Sequence, residues 1–218
     1  MTEPLINFQN VSFSYSPDRP VLCDCNFRLE AKERIALVGA NGSGKTTLLH
    51  LIVGLLRPSS GCIEIFGKAR HMEADFHDVR PRIGLLFQDS DDQLFCPTVA
   101  EDVAFGPLNL GIKREQVRQI VSQTLTELGL AGYEHRITYR LSSGEKRLVA
   151  MATVLAMNPD VLLLDEPTSA LDDQTKQRLL EVLSRLPQAM ILVSHNREFR
   201  EELTNHTLFL SHGRIEAA

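Results

Sequence analysis

Two short runs of the chain carry residue types and spacings suited to chemistry. Gly39-Ala40-Asn41-Gly42-Ser43-Gly44-Lys45-Thr46 fits the pattern GxxxxGK[ST]. It lies between an apolar run, Arg34–Val38, and a helix-like stretch from Thr46 to Leu55. Glycines let a backbone turn until successive N–H groups converge on phosphate oxygens, and the helix that follows adds the positive end of its dipole. A cradle over Gly39 and Asn41–Thr47 would therefore take a nucleoside polyphosphate, with Lys45 as a point charge on the outer phosphates. The Thr46 hydroxyl is a hard oxygen suited to Mg2+. The second run, Val161-Leu162-Leu163-Leu164-Asp165-Glu166, sets two carboxylates behind four apolar residues. Asp165 is expected to hold Mg2+ through water. Glu166 is expected to polarise an attacking water as general base, which makes the reaction a hydrolysis.

Strands must end at Gly39 and at Asp165 to place these runs. Asn7–Tyr15 partly alternates, Ser16-Pro17-Asp18 is turn chemistry, and Val21–Leu29 reads as a second strand. Arg34–Val38, Cys62–Phe66 and Ile83–Phe87 are further strands. Thr98–Ala156 differs: helical spacing dominates at Val99–Phe105, Lys113–Leu128 and Glu145–Met157, with breaks expected at Pro107 and over Gly129–Gly132. Strand and helix patterns then alternate at Val161–Leu164, Asp173–Arg185, Met190–Val193 and Thr207–Leu210. Such alternation implies an α/β fold with a parallel sheet and a helical insertion, and 218 residues suit one domain of that kind.

Composition narrows the partners. A formal net charge of -5 is the wrong sign for holding a nucleic-acid backbone, and the absence of Trp argues against a base-stacking platform. Cys23, Cys25, Cys62 and Cys96 form no CxxC pair, and Cys23 and Cys25 should face the same way on their strand as buried free thiols. His71, Glu73, Asp75, His77 and Asp78 could form a metal cluster, but a polar stretch between strands reads better as an exposed loop. No apolar window approaches the length of a membrane span, and Met1–Asn10 lacks the basic start and apolar core of a signal peptide.

Further motifs stand in order around these runs. Leu141-Ser142-Ser143-Gly144-Glu145 sits at the position of an LSGGQ signature, Pro167–Asp172 continues as a D-loop, and Ser194-His195 matches a switch histidine. Gln88 matches a Q-loop, and Tyr15 an adenine-stacking aromatic. Over essentially its whole length the chain resembles the ATP-binding cassette (ABC) ATPases. The resemblance implies a P-loop NTPase (RecA-like) fold. A mostly parallel core over 1–88 and 158–218 would carry an N-terminal antiparallel β subdomain and an inserted α-helical subdomain over 89–157. It also implies a dimer of two ABC ATPase subunits, homo or hetero. Ser142 and the backbone at Gly144 would contact the γ-phosphate of ATP held by the other subunit, with Ser143, Glu145 and Asp172 beside the interface. His195 would hold the γ-phosphate and the attacking water, and Gln88 would touch Mg2+ and report occupancy to a partner. Two positions depart from LSGGQ. Ser143 adds a Cβ where close approach is wanted, and Glu145 adds negative charge near phosphate. Ser142-x-x-Glu145 is also a capping box for the following helix.

Residues 84–112 resemble more closely the ATPases of energy-coupling-factor importers, the cobalt-, nickel- and vitamin-type systems. The matching runs are Gly84–Gln88, Asp91–Phe95 and Glu101–Asn109. This implies a peripheral place on the cytoplasmic face of the membrane. There the ATPase pair would dock on an integral membrane coupling protein that works with a substrate-capturing one. Asp89, Asp91 and Asp92 are the carboxylates expected to meet basic residues of the coupling protein. The short stretch after the last strand favours a metal-ion system over a vitamin one. Soluble ABC proteins acting on DNA or ribosomes fit less well, since no long coiled-coil insertion or second cassette is present. A GTPase reading lacks an NKxD motif.

Overall fold

The computed structural model describes residues 3–217; Met1, Thr2 and Ala218, the outer ends of the single domain expected over 1–218, lie outside the described residues. Strands β1 (Ile6–Ser16) and β2 (Arg19–Leu29) form a hairpin, and β3 (Arg34–Val38) leads into α1 (Lys45–Ile52). β4 (Ser60–Ile65) and β5 (Lys68–Ala69) complete an antiparallel sheet of order β2-β1-β4-β5. After β6 (Ile83–Leu86) come α2 (Val99–Asn109), α3 (Arg114–Glu127) and α4 (Ser143–Leu155). The chain then alternates through β7 (Val161–Asp165), α5 (Asp173–Arg185), β8 (Ala189–Val193) and α6 (Arg197–Leu203), and closes with the hairpin of β9 (His206–Ser211) and β10 (Arg214–Ala217). The second sheet has the order β10-β9-β3-β8-β7-β6 and is parallel throughout except for the β10–β9 pair.

The apolar runs of β7 and β8 are buried at every position because both faces of this sheet are covered. Alternation along β7 divides two cores. Val161 and Leu163 pack with α1 and the antiparallel sheet, whereas Leu162 and Leu164 pack with α2–α6. β8 lies between β3 and β7, so the carboxyl ends of the three strands bring Gly39, Ser194-His195 and Asp165-Glu166 to one edge, where open α/β sheets bind ligands.

Three sequence expectations fail, each for a local reason. Cys23 and Cys25 do not share a face: Cys25 is buried and Cys23 only partly so. β2 carries a bulge at Asp24 (φ +48), so Val11 pairs with Cys25 but Phe13 with Leu22, and the extra residue reverses the alternation. All four cysteines are free thiols. Pro107 does not break its helix either. α2 runs two residues past it: the proline forfeits one backbone donor, and the N–H groups of Leu110 and Ile112 still bond back to the carbonyls of Gly106 and Pro107. α1 stops at Ile52 rather than Leu55, where the N–H groups of Gly54 and Leu55 bond back to the carbonyls of Leu51 and His50. The short strands β5 and β10 and the seven-residue α6 give no periodic signal and are absent from the sequence reading.

Candidate functional site

The loop between β3 and α1 is shaped by close approach. Gly44 caps α1 in the left-handed region (φ +105), and a Cβ there would stand 2.7 Å from Val21 Cγ1. A Cβ on Gly39 would lie 2.4 Å from the Leu210 carbonyl oxygen and 2.7 Å from Ser43 Oγ. Ser43 Oγ itself is buried without a hydrogen-bond partner among the described residues, as suits a hydroxyl reserved for a ligand. Lys45 Nζ donates to the carbonyls of Gly39 (2.8 Å) and Ala40 (3.0 Å), which holds the ammonium over its own loop. The Tyr15 ring is 59% exposed, meets Phe13 edge-on at 4.9 Å, and is tied down by a 3.1 Å hydrogen bond between its hydroxyl and that of Thr47.

Across the cleft, Thr46 Oγ1 donates to Asp165 Oδ2 at 2.6 Å, so two hard oxygens converge from α1 and from the end of β7. Glu166 follows with φ +52, an uncommon backbone for a non-glycine residue. Its N–H is held by the Val193 carbonyl at 2.8 Å. Glu166 Oε2 accepts the His195 backbone N–H at 3.2 Å, while Oε1 is buried with no hydrogen bond among the described residues, 3.6 Å from His195 Nε2. Burial raises the Glu166 carboxyl above its usual value. The Asp165 charge adds to that rise, while the His195 N–H and ring and the Lys45 charge oppose it. The His195 side chain is 68% exposed, as a group that meets a ligand would be. Tyr15, Asn41, Gly42, Gly44, Lys45, Thr46, Thr47, Gln88, Asp165, Glu166 and His195 line a cleft of about 630 Å3. Gly39 and Ser43 border a hollow on the other side of the loop, beside Leu210.

A second cleft, of about 570 Å3, adjoins the first and shares Thr46 and Gln88 with it. Asp89, Asp91, Asp92, Ser143, Lys146 and Ala170 are among its walls. Two of the three carboxylates are already engaged: Asp89 accepts the Asp91 N–H at 2.9 Å, and Asp91 pairs with Lys146 at 2.6 Å. Only Asp92 makes no side-chain hydrogen bond or ion pair among the described residues.

Ser142, Gly144, Glu145 and Asp172 stand outside both clefts. The capping box is present. Ser142 Oγ accepts the Glu145 N–H at 3.3 Å and Glu145 Oε2 accepts the Ser142 N–H at 2.8 Å. Glu145 Oε1 accepts from the Tyr133 hydroxyl at 2.8 Å and from Arg136 Nη1 at 3.0 Å, with the guanidinium stacked 3.6 Å over the Tyr133 ring. The added negative charge of Glu145 is thus matched within its own helical unit. The Ser142 N–H first, then Tyr133 and Arg136, hold its carboxyl below the usual range. A Cβ on Gly144 would meet the Ala170 carbonyl at 2.9 Å, and Asp172 caps α5 through the Thr175 N–H at 2.8 Å. In the polar stretch from His71, Asp75 accepts backbone N–H groups while Glu73 and Asp78 pair with Arg80 and Arg70. Among the described residues no three His, Cys, Asp or Glu side chains converge on a metal position.

Sequence reasoning passed over Gln93, Asp102 and Arg147. Asp102 is buried, accepting the N–H groups of Phe95 (3.0 Å) and Cys96 (2.9 Å) and the Thr138 hydroxyl (3.0 Å). Gln93 accepts the Phe87 N–H at 3.0 Å and donates to the Ala150 carbonyl and the Thr153 hydroxyl. Arg147 is 2% exposed and donates to the carbonyls of Phe87, Asp165 and Glu166. A visible signal existed for Arg147, a charge in line with the apolar face of α4 at Ala150, Met151 and Val154.

Residues 22–169 match the family model described as ABC transporter, a span that includes the phosphate loop, the signature and Asp165-Glu166. The chain belongs to the ABC transporter family. It is 52% identical over 197 residues to a putative ABC transporter ATP-binding protein of Nitratidesulfovibrio vulgaris, covering 90% of this chain and 72% of the relative. It is 39% identical over 217 residues to the energy-coupling factor transporter ATP-binding protein EcfA of Methanothermobacter thermautotrophicus, covering 98% and 70% respectively. Among solved structures it superposes with TM-score 0.84 and 31% identity on cbiO1 of Clostridium perfringens, described as part of the ABC transporter complex cbiONQ, over 99% of this chain and 88% of that one. It is an ABC ATPase, of a family whose members hydrolyse ATP to power transport. No helix among the described residues is long and apolar enough to cross a membrane.

Proposed function

We propose that this ABC ATPase powers an importer of the energy-coupling-factor type, carrying a transition metal ion such as cobalt or nickel, or a vitamin. The observation that carries the chemistry is the convergence of Lys45, Thr46, Asp165, Glu166 and His195 on one cleft at the carboxyl edge of β3, β8 and β7. The EcfA and cbiO1 relatives support the transporter type.

ATP would lie with its adenine against Tyr15 and its phosphates in the cradle of Gly39 and Asn41–Thr47. Thr46, and Asp165 through water, with Gln88 alongside, would hold Mg2+; the Thr46 hydroxyl and the Asp165 carboxylate converge at 2.6 Å and are hard oxygens suited to that ion. Bound there, the ion neutralises charge on the outer phosphate oxygens. Lys45 leaves its own loop carbonyls to pair with those phosphates. Glu166 accepts a proton from the attacking water at Oε1, the oxygen that accepts no hydrogen bond among the described residues, while His195, 3.6 Å from it, orients the water and the γ-phosphate. Ser142 and the Gly144 backbone, together with Ser143, Glu145 and Asp172 nearby, would face the ATP of a second cassette, so that two sites close together.

In this reading 89–157 forms the helical subdomain and the rest forms the core. The Gln88–Asp92 segment would then meet an integral membrane coupling protein, with Asp92 as the carboxylate free to pair with a basic residue. An exposed edge-to-face pair, Phe95 and Phe105, 4.8 Å apart, supports a dock on this side. The subunit would sit peripherally on the cytoplasmic face of the membrane.

Purifying the protein from mildly solubilised native membranes tests the reading. Two integral membrane proteins in a complex that binds one small substrate and hydrolyses ATP is the expected result. Recovery as an active ATPase with no membrane partner would overturn the importer assignment and leave the chemistry standing.

A further inference from the structure

Arg147 is the one buried guanidinium that touches the reacting edge of the sheet among the described residues, and it spends its donors on backbone rather than on a carboxylate. Nη1 donates to the Phe87 carbonyl at 2.5 Å; Nε and Nη2 donate to the Glu166 carbonyl at 3.2 and 2.5 Å, and Nη2 also to that of Asp165. A buried charge is costly unless its hydrogen bonds are met, and with the Asp165, Glu166 and Asp89 carboxylates only nearby and not in contact, it is the carbonyls that receive this one. The carbonyls come from three residues in two segments, the end of β7 and the residue before Gln88.

Two further side chains bind the same parts together. Gln93 joins the Phe87 N–H to the Ala150 carbonyl and Thr153 hydroxyl of α4, and Lys146 pairs with Asp91. The segment 87–93 and α4 are therefore stitched at three points, and only Arg147 extends the stitching to Glu166. Glu166 has a left-handed backbone (φ +52), held otherwise by its N–H on the Val193 carbonyl and by the Ser169 N–H on its own carbonyl, and Arg147 adds the one side-chain anchor to that carbonyl.

We propose that Arg147 is a positioning residue for hydrolysis: it fixes the Glu166 turn and ties it to Phe87 beside Gln88, so that movement of the Asp89–Asp92 segment reaches the hydrolytic carboxylate through one side chain. This rests on the reading of Glu166 as the base. The planar fork of arginine suits divergent carbonyls in a way that a lysine ammonium does not.

The test compares Arg147→Lys, Arg147→Gln and Glu166→Gln, alone and as the Arg147→Gln/Glu166→Gln double variant. Steady-state ATP hydrolysis, ATP affinity and thermal melting are measured for each. Arg147→Gln should lower kcat on the order of 10- to 100-fold while KM for ATP stays within about twofold, because a small displacement of a reacting group costs rate rather than binding. Arg147→Lys should recover part of that loss, and the double variant should be no slower than Glu166→Gln alone. Wild-type kcat in Arg147→Gln beside a dead Glu166→Gln would overturn the positioning role and leave Glu166 as base. Near-normal turnover in Glu166→Gln would remove the base reading and this inference with it. If Arg147→Gln does not fold, Arg147→Lys decides. A lower kcat at unchanged ATP affinity and melting temperature supports positioning, and activity that merely follows the folded fraction overturns it.

Discussion

Around Gly39–Thr46 the site is made of backbone, while around Leu141–Glu145, apart from the close approach of Gly144 to the Ala170 carbonyl, it is made of side chains. In the cradle, the clearances of 2.4 Å at Gly39 and 2.7 Å at Gly44 leave no room for a Cβ, so geometry dictates the residue type. At the signature corner, Glu145 is accommodated by Tyr133, Arg136 and the Ser142 N–H, and Ser143 stands exposed. A backbone-built site fixes its sequence. A side-chain-built site admits substitutions that look harmful in isolation, provided that neighbours absorb them.

The largest expected effect separates binding at the cradle from chemistry at the end of β7. Glu166→Gln should cut turnover by about 10²- to 10⁴-fold, the usual worth of a general base, and leave ATP binding intact. Lys45→Ala should instead weaken ATP binding roughly 10- to 100-fold, since a charged hydrogen bond contributes about 1.5–3 kcal/mol. Phosphate release and equilibrium titration with ATP read the two effects separately. If both variants lose affinity equally, the cradle and the carboxylate edge are one unit and the division is wrong.

A smaller pair of substitutions sets the two regions against each other. Gly39→Ala places a methyl 2.4 Å from the Leu210 carbonyl and should lower stability by about 1–3 kcal/mol, together with ATP affinity. Ser143→Gly, at an exposed position, should change stability by less than about 0.5 kcal/mol apart from the small entropic cost of a helix-start glycine. Denaturant melts with and without ATP make the comparison. Equal losses would mean that the signature turn is as tightly constrained as the cradle.

The same contrast explains what the sequence made legible. The cradle, the apolar strands β7 and β8, and Asp165-Glu166 announce themselves because each follows from local geometry or from burial on both faces. The phase reversal at Asp24 and the partners of Glu145 do not. One depends on a single positive φ, and the other on Tyr133 and Arg136, which no short pattern joins to the signature. Asp89 and Asp91 likewise looked free to meet a partner, yet one caps a turn and the other pairs with a lysine 55 residues away. Arg147 was visible as a charge in an apolar stripe, but its carbonyl partners are assembled only when α4 lies under the ends of β6 and β7.

Another small effect should come from Glu145→Gln, which restores the signature residue and removes the charge that Arg136 matches. Glu145 lies below its ordinary value of 4.5 when folded, because the charged form accepts from Ser142, Tyr133 and Arg136. A carboxyl lowered in this way adds stability that is complete above the unfolded value and fades as pH falls through the folded one. Wild type should therefore exceed Glu145→Gln by less than about 1 kcal/mol near neutral pH, as expected for a partly exposed pair. The gap should close as pH drops below 4.5, with the other carboxylates cancelling between the two proteins. Melting temperatures across that window read it directly. A gap that does not change with pH would mean that Ser142, Tyr133 and Arg136 do not favour the charged form of Glu145, and the departure from LSGGQ would then burden the signature corner after all.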